Sequence, residues 1–293
     1  MAKYAFITQH RNEFPVQLMC RVLAVSRSGF YDWLVRKPSA RQQSQVLQEV
    51  AVRAAHQKTR QTYGARRLHT ELISEGHSIT AWQVRKVKER LNLRCIQAQK
   101  FKATTNSNHT LPVAENLLAQ CFEPTKPNEM WVSDITYIRS DEGWLYLAGI
   151  KDVFTCEIVG YAMGSRMTKE LVSAALTLAL AHKRPEKGLI LHSDRGSQYC
   201  SRSYQKQIVD AGLRASMSRK GNCYDNAPME SFWGSLKNEL VHHRRYATRT
   251  EAQEEITEYI EIFYNRQRRH SRLGDVAPAV FAREYERKQL ADV

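Results

Sequence analysis

Three acidic side chains stand where a carboxylate is costly to place. Asp134 interrupts the β-rich run Trp-Val-Ser-Asp-Ile-Thr-Tyr, Asp194 stands in Leu-His-Ser-Asp-Arg-Gly, and Glu230 stands in Asp-Asn-Ala-Pro-Met-Glu-Ser-Phe-Trp. An unpaired carboxylate is expensive to bury, and acids placed at such points can converge on divalent metal. Two metals held by carboxylates cut and join phosphodiesters: one activates water or a DNA 3′-hydroxyl, the other stabilises the leaving oxygen. Carboxylates suit Mg²⁺, which keeps several waters and needs few protein ligands. Taken singly, each acid has a plainer use. Asp194 before Arg195-Gly196 could stabilise a turn, and Glu230 could be a favourable charge at a helix start. Asp134, inside a strand, is the hardest to explain without a partner.

The pattern around these acids predicts a mixed α/β unit. Trp131 to Ile138 alternates as a strand, Ser140-Asp141-Glu142-Gly143 is a turn, and Trp144 to Ile150 closes a hairpin. Further strands are expected at Cys156 to Ala162, Gly188 to His192 and Leu213 to Met217. Helices are expected at Thr168 to His182, Tyr199 to Ala211, Pro228 to Val241 and Glu251 to Arg266. That order describes a mixed sheet flanked by helices. Asp134 then lies within the first strand and Asp194 just past a strand end, where sites of such sheets lie. Glu230 falls in the opening turns of a helix that Asp225 or Asn226 can cap and that Pro228 suits.

The N-terminal part reads differently. Gln17 to Leu23 and Ser28 to Val35 flank a turn at Ala24-Val25-Ser26, which fits a helix-turn-helix and a plain helical hairpin equally well. Helices follow at Val46 to His56 and Arg66 to Ser74. Thr80 opens another, with Gln83 completing a capping box and Val84, Val87 and Leu91 as its apolar stripe. Arg85, Lys86, Lys88 and Arg90 fall largely away from that stripe, as a reader of the major groove requires. Ala103 to Asn108 is expected to be polar and structureless, and Pro112, Pro124 and Pro127 punctuate a connector with one short helix expected at Val113 to Cys121. Three units result: a helical DNA-binding region at 1–100, a linker at 101–129 and a catalytic domain with C-terminal helices at 130–293.

Charge points to the partner. The formal net charge is +14, and residues 1–128 hold 20 lysines and arginines against 8 acidic residues. A basic block of this kind favours a polyanion, above all nucleic acid. No apolar run of membrane-spanning length and no signal-peptide core is present. The six cysteines are scattered without a Cys-x-x-Cys pair, which argues against structural zinc and for reduced thiols in the cytoplasm. Other basic candidates are Arg219 and Lys220, in a loop before the Glu230 helix, and Arg266, Arg269 and His270, near the end of the last long helix. The loop suits phosphate contact, whereas the helix-end group is also explained by the helix dipole. His192 beside Ser193 suggests hydrolytic triad chemistry, but no Gly-x-Ser-x-Gly elbow accompanies it.

Between Asp194 and Glu230 lie 35 residues, the D-D-(35)-E arrangement of retroviral-type integrases. The words Trp131 to Tyr137, Gly143 to Leu147, His192 to Tyr199, Ser216 to Gly221, Asp225 to Phe232, and Tyr264-Asn265-Arg266 with Arg269-His270 occur in order. Together they resemble the second-frame protein of bacterial insertion sequences of the integrase-like, two-reading-frame type, over about Phe14 to Phe281. The resemblance implies an RNase H-like integrase catalytic core with an N-terminal all-α helix-turn-helix region. It implies Asp134, Asp194 and Glu230 as catalytic ligands of two Mg²⁺ ions, with Mn²⁺ able to substitute. It also aligns Lys237, seven positions and two helical turns after Glu230, with a basic residue that contacts DNA phosphate.

The expected activity is metal-dependent 3′-end cleavage and strand transfer of an insertion sequence. Double-stranded DNA is the expected partner, as transposon ends and target, bound by a homo-oligomer at the nucleoid. Transposases of this type usually gain an upstream helix-turn-helix and coiled coil by frameshifting. No sustained heptads occur here, so an upstream-frame protein or fusion is a further expected partner. A nuclease of RNA–DNA hybrids shares the fold but leaves the basic helices unexplained. A non-catalytic DNA-binding regulator leaves the three acids unexplained.

Overall fold

The computed structural model describes residues 2–96, 112–219 and 223–291. A five-stranded mixed sheet carries the candidate acids: β1 (Met130–Ser140), β2 (Gly143–Asp152), β3 (Ile158–Gly164), β4 (Ile190–Ser193) and β5 (Arg214–Met217), in spatial order β3-β2-β1-β4-β5. β1 and β2 form the expected hairpin, with Asp134 opposite Gly149. β3 adds antiparallel to β2, while β4 and β5 add parallel on the other side of β1. Each parallel addition follows a helix, α7 (Lys169–Lys183) or α8 (Arg202–Asp210), because a parallel neighbour needs a crossover.

Strand alternation divides the sheet into two apolar faces. Trp131, Ala148 and Ile150 pack with Leu171, Val172 and Leu176 of α7 and Tyr204 of α8. Val132, Ile138, Leu145 and Leu147 pack on α9 (Ala227–Glu239), α10 (Arg249–Glu258) and the π-helical segment Tyr259–Gln267, through Phe232, Trp233, Leu236, Ile256 and Phe263. Asp134 shares the parity of Val132, so it belongs to the face that α9 covers. At Gly160 an added Cβ would meet the Ala175 carbonyl oxygen at 2.4 Å, so α7 packs on β3 only because that residue has no side chain. A last helix, α11 (Pro278–Ala291), docks Phe281 and Tyr285 on Phe154.

Among the described residues six helices precede the sheet: α1 (Ala2–His10), α2 (Val16–Val22), α3 (Arg27–Val35), α4 (Ala40–Lys58), α5 (Ala65–Ser74) and α6 (Ala81–Arg90). The first three close around Ile7, Met19, Cys20 and Phe30, and the next three around Val52, Tyr63, Leu68, Leu72, Val84 and Val87. The Thr80–Gln83 capping box forms, with the Gln83 amide donating to Thr80 Oγ1 at 3.2 Å and the Thr80 amide to Gln83 Oε1 at 2.8 Å.

Two of the expected helices need correction. No helix forms at Val113 to Cys121. There the chain lies along β5, the Leu117 amide donating to Ser216 Oγ at 2.9 Å and Met217 N to Glu115 O at 3.3 Å. These bonds, with left-handed Ala119 and Gln120, take the backbone groups a helix would pair. The expected helix from Glu251 to Arg266 instead changes to π winding at Tyr259. In that segment Asn265 turns inward and bonds both backbone groups of Ile158, at 2.9 and 3.0 Å. Cys20, Cys95, Cys121, Cys156 and Cys200 are unpaired. No helix among the described residues is long and apolar enough to cross a membrane.

Candidate active site

Asp134 lies in β1, and Asp194 directly follows β4, the parallel neighbour of β1. The Asp134 carboxyl is pushed up to about 7, first by burial and then by the charge of Asp194, with Glu230 adding a smaller push. The buried Tyr199 hydroxyl, 3.0 Å from Ser133 Oγ, feels both Asp134 and Asp194. Asp194 also has a turn role, its Oδ1 accepting from the Gly196 amide at 2.8 Å. Glu230 is exposed by surface area, yet the partial burial of its carboxyl raises it above the usual range. The charges of Asp134 and Asp194 thus oppose one another, with Glu230, in the first turn of α9, a weaker contributor. Among the described residues no three His, Cys, Asp or Glu side chains gather into a ready-made ion site. The donor chemistry nevertheless fits a hard divalent cation, since carboxylate oxygens that resist ionising together are relieved by positive charge between them.

α9 is fastened to the strands that carry Asp134. Trp233 Nε1 donates to Asp134 Oδ2 at 3.0 Å. The helix comes this close because Gly149 is opposite Asp134, where a Cβ would stand 2.6 Å from the Met229 methyl and 2.9 Å from the Trp233 ring. Asn226 Nδ2 donates to the Ser133 carbonyl and buried Lys151 Nζ to the Pro228 carbonyl, both at 3.0 Å. Neither Asp225 nor Asn226 caps α9 with its side chain. Asp225 instead accepts from Arg219, Asn116 and Gln120. Trp233, Gly149 and Lys151 escaped sequence reasoning, and Asn226 was read as a cap, not as a donor to the Ser133 carbonyl. The one signal available was a glycine inside a strand, which marks close approach.

Trp233→Phe keeps the ring and removes the donor. The strand cleavage expected from the sequence should then fall about tenfold, the scale of a hydrogen bond to a charged group. The bond favours ionised Asp134, so its loss raises the Asp134 pKa and moves the acid limb of the pH–rate profile to higher pH. A profile identical to that of the parent protein would refute the role given to this bond.

The basic candidates scatter. Lys237 lies near Asp134 but is buried, its ammonium 5.1 Å from the Tyr137 ring centre and lowered to about 8 by burial, with Asp134 opposing that shift. Arg219 is held by Asp225 at 2.9 Å, and Lys220 lies outside the described residues. Arg85 and Lys86 are exposed on α6, both paired to Glu89. Lys88 departs from the expected open face. It is buried and donates to the Tyr63 carbonyl at 3.0 Å, so the basic face of α6 narrows. Arg266 is exposed. Arg269 turns to the N-terminal helices, bonding Glu71 and Ser74 at 2.6 Å each. His270 is lowered to about 2 by burial and by Arg268, Lys151 and Arg67, so it is neutral. His192 is buried with its ring nitrogens 2.8 and 3.0 Å from Ser216 and Ser218. It joins β4 to the β5 end and activates no serine beside it.

Models of the integrase core domain match residues 124–223 and 211–278, and a model of an HTH-like domain matches residues 42–101. The insertion element IS600 uncharacterized 31 kDa protein of Shigella sonnei is 60% identical over 267 residues, 91% of this chain and 98% of that one. Transposase InsF for insertion sequence IS3A of Escherichia coli (strain K12) is 44% identical over 291 residues, 99% of this chain and 100% of that one. Among solved structures, the HTLV-2 integrase catalytic core domain in complex with magnesium aligns with a TM-score of 0.44 at 14% identity, over 55% of this chain and 99% of that one.

Proposed function

Because the chain belongs to the IS3-type insertion-sequence transposases with an integrase core, we propose that it cleaves the 3′ ends of its element and transfers them to target DNA. The observation that supports this reading is the placement of the acids on the integrase-type core: Asp134 in β1, Asp194 directly after its parallel neighbour β4, and Glu230 in the first turn of α9. Asp134, Asp194 and Glu230 are the proposed catalytic acids and would hold divalent metal, Mg²⁺ or Mn²⁺. Bound there, metal would make the attacking oxygen more nucleophilic and neutralise charge on the leaving oxygen. The chain's own part is positional. Trp233 orients Asp134, Gly149 admits α9, and Asn226 with Lys151 fixes the start of the helix that carries Glu230. The same acids serve both steps, each an in-line phosphoryl transfer governed by positioning.

Residues 1–100 are the proposed DNA-binding region, 101–129 the linker and 130–293 the catalytic domain. Arg85, Lys86, Arg219, Lys220 and Arg266 are the proposed DNA contacts. Lys237 serves beside the acids, while Lys88, Arg269 and His270 serve structure. The working form is a homo-oligomer on DNA at the nucleoid, aided by an upstream-frame protein or fusion. The test is a labelled duplex carrying the element's terminal sequence, incubated with Mg²⁺ with and without the upstream-frame protein. Metal-dependent 3′-end nicks followed by joined products are expected. Absence of nicks in every arm would overturn the reading.

A further inference from the structure

We propose that the outer face of α6 reads base edges in the major groove, with Trp82 and Glu89 setting sequence preference. This rests on the reading above, that the chain acts on duplex DNA. Trp82 lies in the first turn of α6 and is 67% exposed. Helical spacing sets Trp82, Arg85, Lys86 and Glu89 on one face. The Arg85, Lys86 and Glu89 side chains are 72%, 54% and 49% exposed. The opposite side is closed by buried Val84, Val87 and Lys88.

A phosphate clamp needs only cations. This face offers three chemistries at helical spacing: an apolar plate, a planar donor fork and an acceptor. Those are the groups that tell base pairs apart, since apolar surface meets the thymine methyl, arginine pairs guanine O6 and N7, and a carboxylate accepts from cytosine N4. Glu89 lies 3.1 Å from Arg85 and 3.0 Å from Lys86, so it also offsets the positive charge that would hold any duplex. Three features favour DNA as the occupant and a fixed presentation of the helix. Residues 53–102 carry 12 lysines and arginines against 3 acidic residues. The capping box fixes the start of α6. Arg269–Glu71 and Arg60–Glu258 tie the helices before α6 to the catalytic part, so the face is held in a set pose relative to the acids.

The test uses the full chain, a duplex carrying the element's terminal sequence, a scrambled duplex of equal composition and a salt series. Trp82→Ala is expected to reduce the preference for the terminal duplex about tenfold, with the slope of log affinity against log salt unchanged. Glu89→Gln is expected to narrow the preference by strengthening scrambled-duplex binding. Lys86→Ala is expected to weaken both duplexes alike and lower the slope by about one. Trp82 is exposed, so its variant should melt with the parent chain, and Trp82→Phe should restore part of the preference. The proposal fails if the parent chain shows no preference, or if neither Trp82→Ala nor Glu89→Gln alters it. It also fails if Trp82→Ala changes only the sedimentation of the protein, which would assign the face to a protein partner. Nicking of the terminal duplex, scored in parallel, separates failure of this proposal from failure of the transposase reading.

Discussion

Replacing Asp134 with asparagine is expected to abolish strand cleavage while making the metal-free protein more stable. The loss should be at least about a thousandfold, equivalent to about 4 kcal/mol of transition-state stabilisation, and Asp194→Asn should match it. DNA binding should persist in both, measured by duplex affinity. The stability gain follows from the raised carboxyl. Asp134 titrates near 3.8 when exposed and near 7 in the folded chain. The native state therefore holds a proton that the unfolded chain releases, and stability declines as pH rises through that window. Above pH 7 the penalty is at most about 4 kcal/mol, an upper limit because Asp134 keeps some solvent contact. Asparagine has the same shape and no charge, so it removes the penalty. In EDTA the melting temperature of Asp134→Asn should exceed the parent value by on the order of 5 °C at pH 8. The gain should shrink as pH falls from 7 toward 4. Parent-level cleavage by Asp134→Asn would remove it from the site, and destabilisation at pH 8 would refute the electrostatic argument.

The second large effect lies at the far end of α9. Glu239 there binds Arg268, with Nη2 to Oε1 at 2.7 Å and Nε to Oε2 at 2.9 Å, and also accepts from the Tyr259 hydroxyl at 2.7 Å. The side chains are only 9% and 13% exposed, and Arg268 also lies 5.7 Å from the Tyr264 ring centre. Truncating one partner of such a pair leaves a buried charge without a counterion, which costs about 3–5 kcal/mol. Glu239→Ala should therefore lower the melting temperature by roughly 10 °C and loosen α9 against the π segment. The double variant Glu239→Leu with Arg268→Met removes both charges and keeps apolar volume, so it should recover much of the loss. A thermal melt of the two variants decides the matter. Equal destabilisation in both would show that packing, not charge pairing, holds this corner.

How far the sequence was legible can be argued from particular residues. Alternation around Asp134 placed it in β1, and the turn at Ser140 to Gly143 placed the hairpin, because both signals act between near neighbours along the chain. The Thr80–Gln83 capping box was legible for the same reason. The three candidate acids could be named from their local words and spacing. The Val113 to Cys121 segment misled, because its backbone groups are taken by β5, about a hundred residues away. Lys88 misled as well. Its helical position looked open, but the Tyr63 carbonyl lies against it.

Local composition and spacing thus determined the sheet elements and the basic character of the N-terminal helices, and singled out the candidate acids. Only the tertiary structure decided that Gly149 leaves room for Trp233 to reach Asp134. It also paired Arg269 with Glu71 and gave Glu239 and Arg268 a shared buried corner. These are meetings of residues far apart in the chain. Their energies depend on burial and distance, neither of which is a property of sequence neighbours.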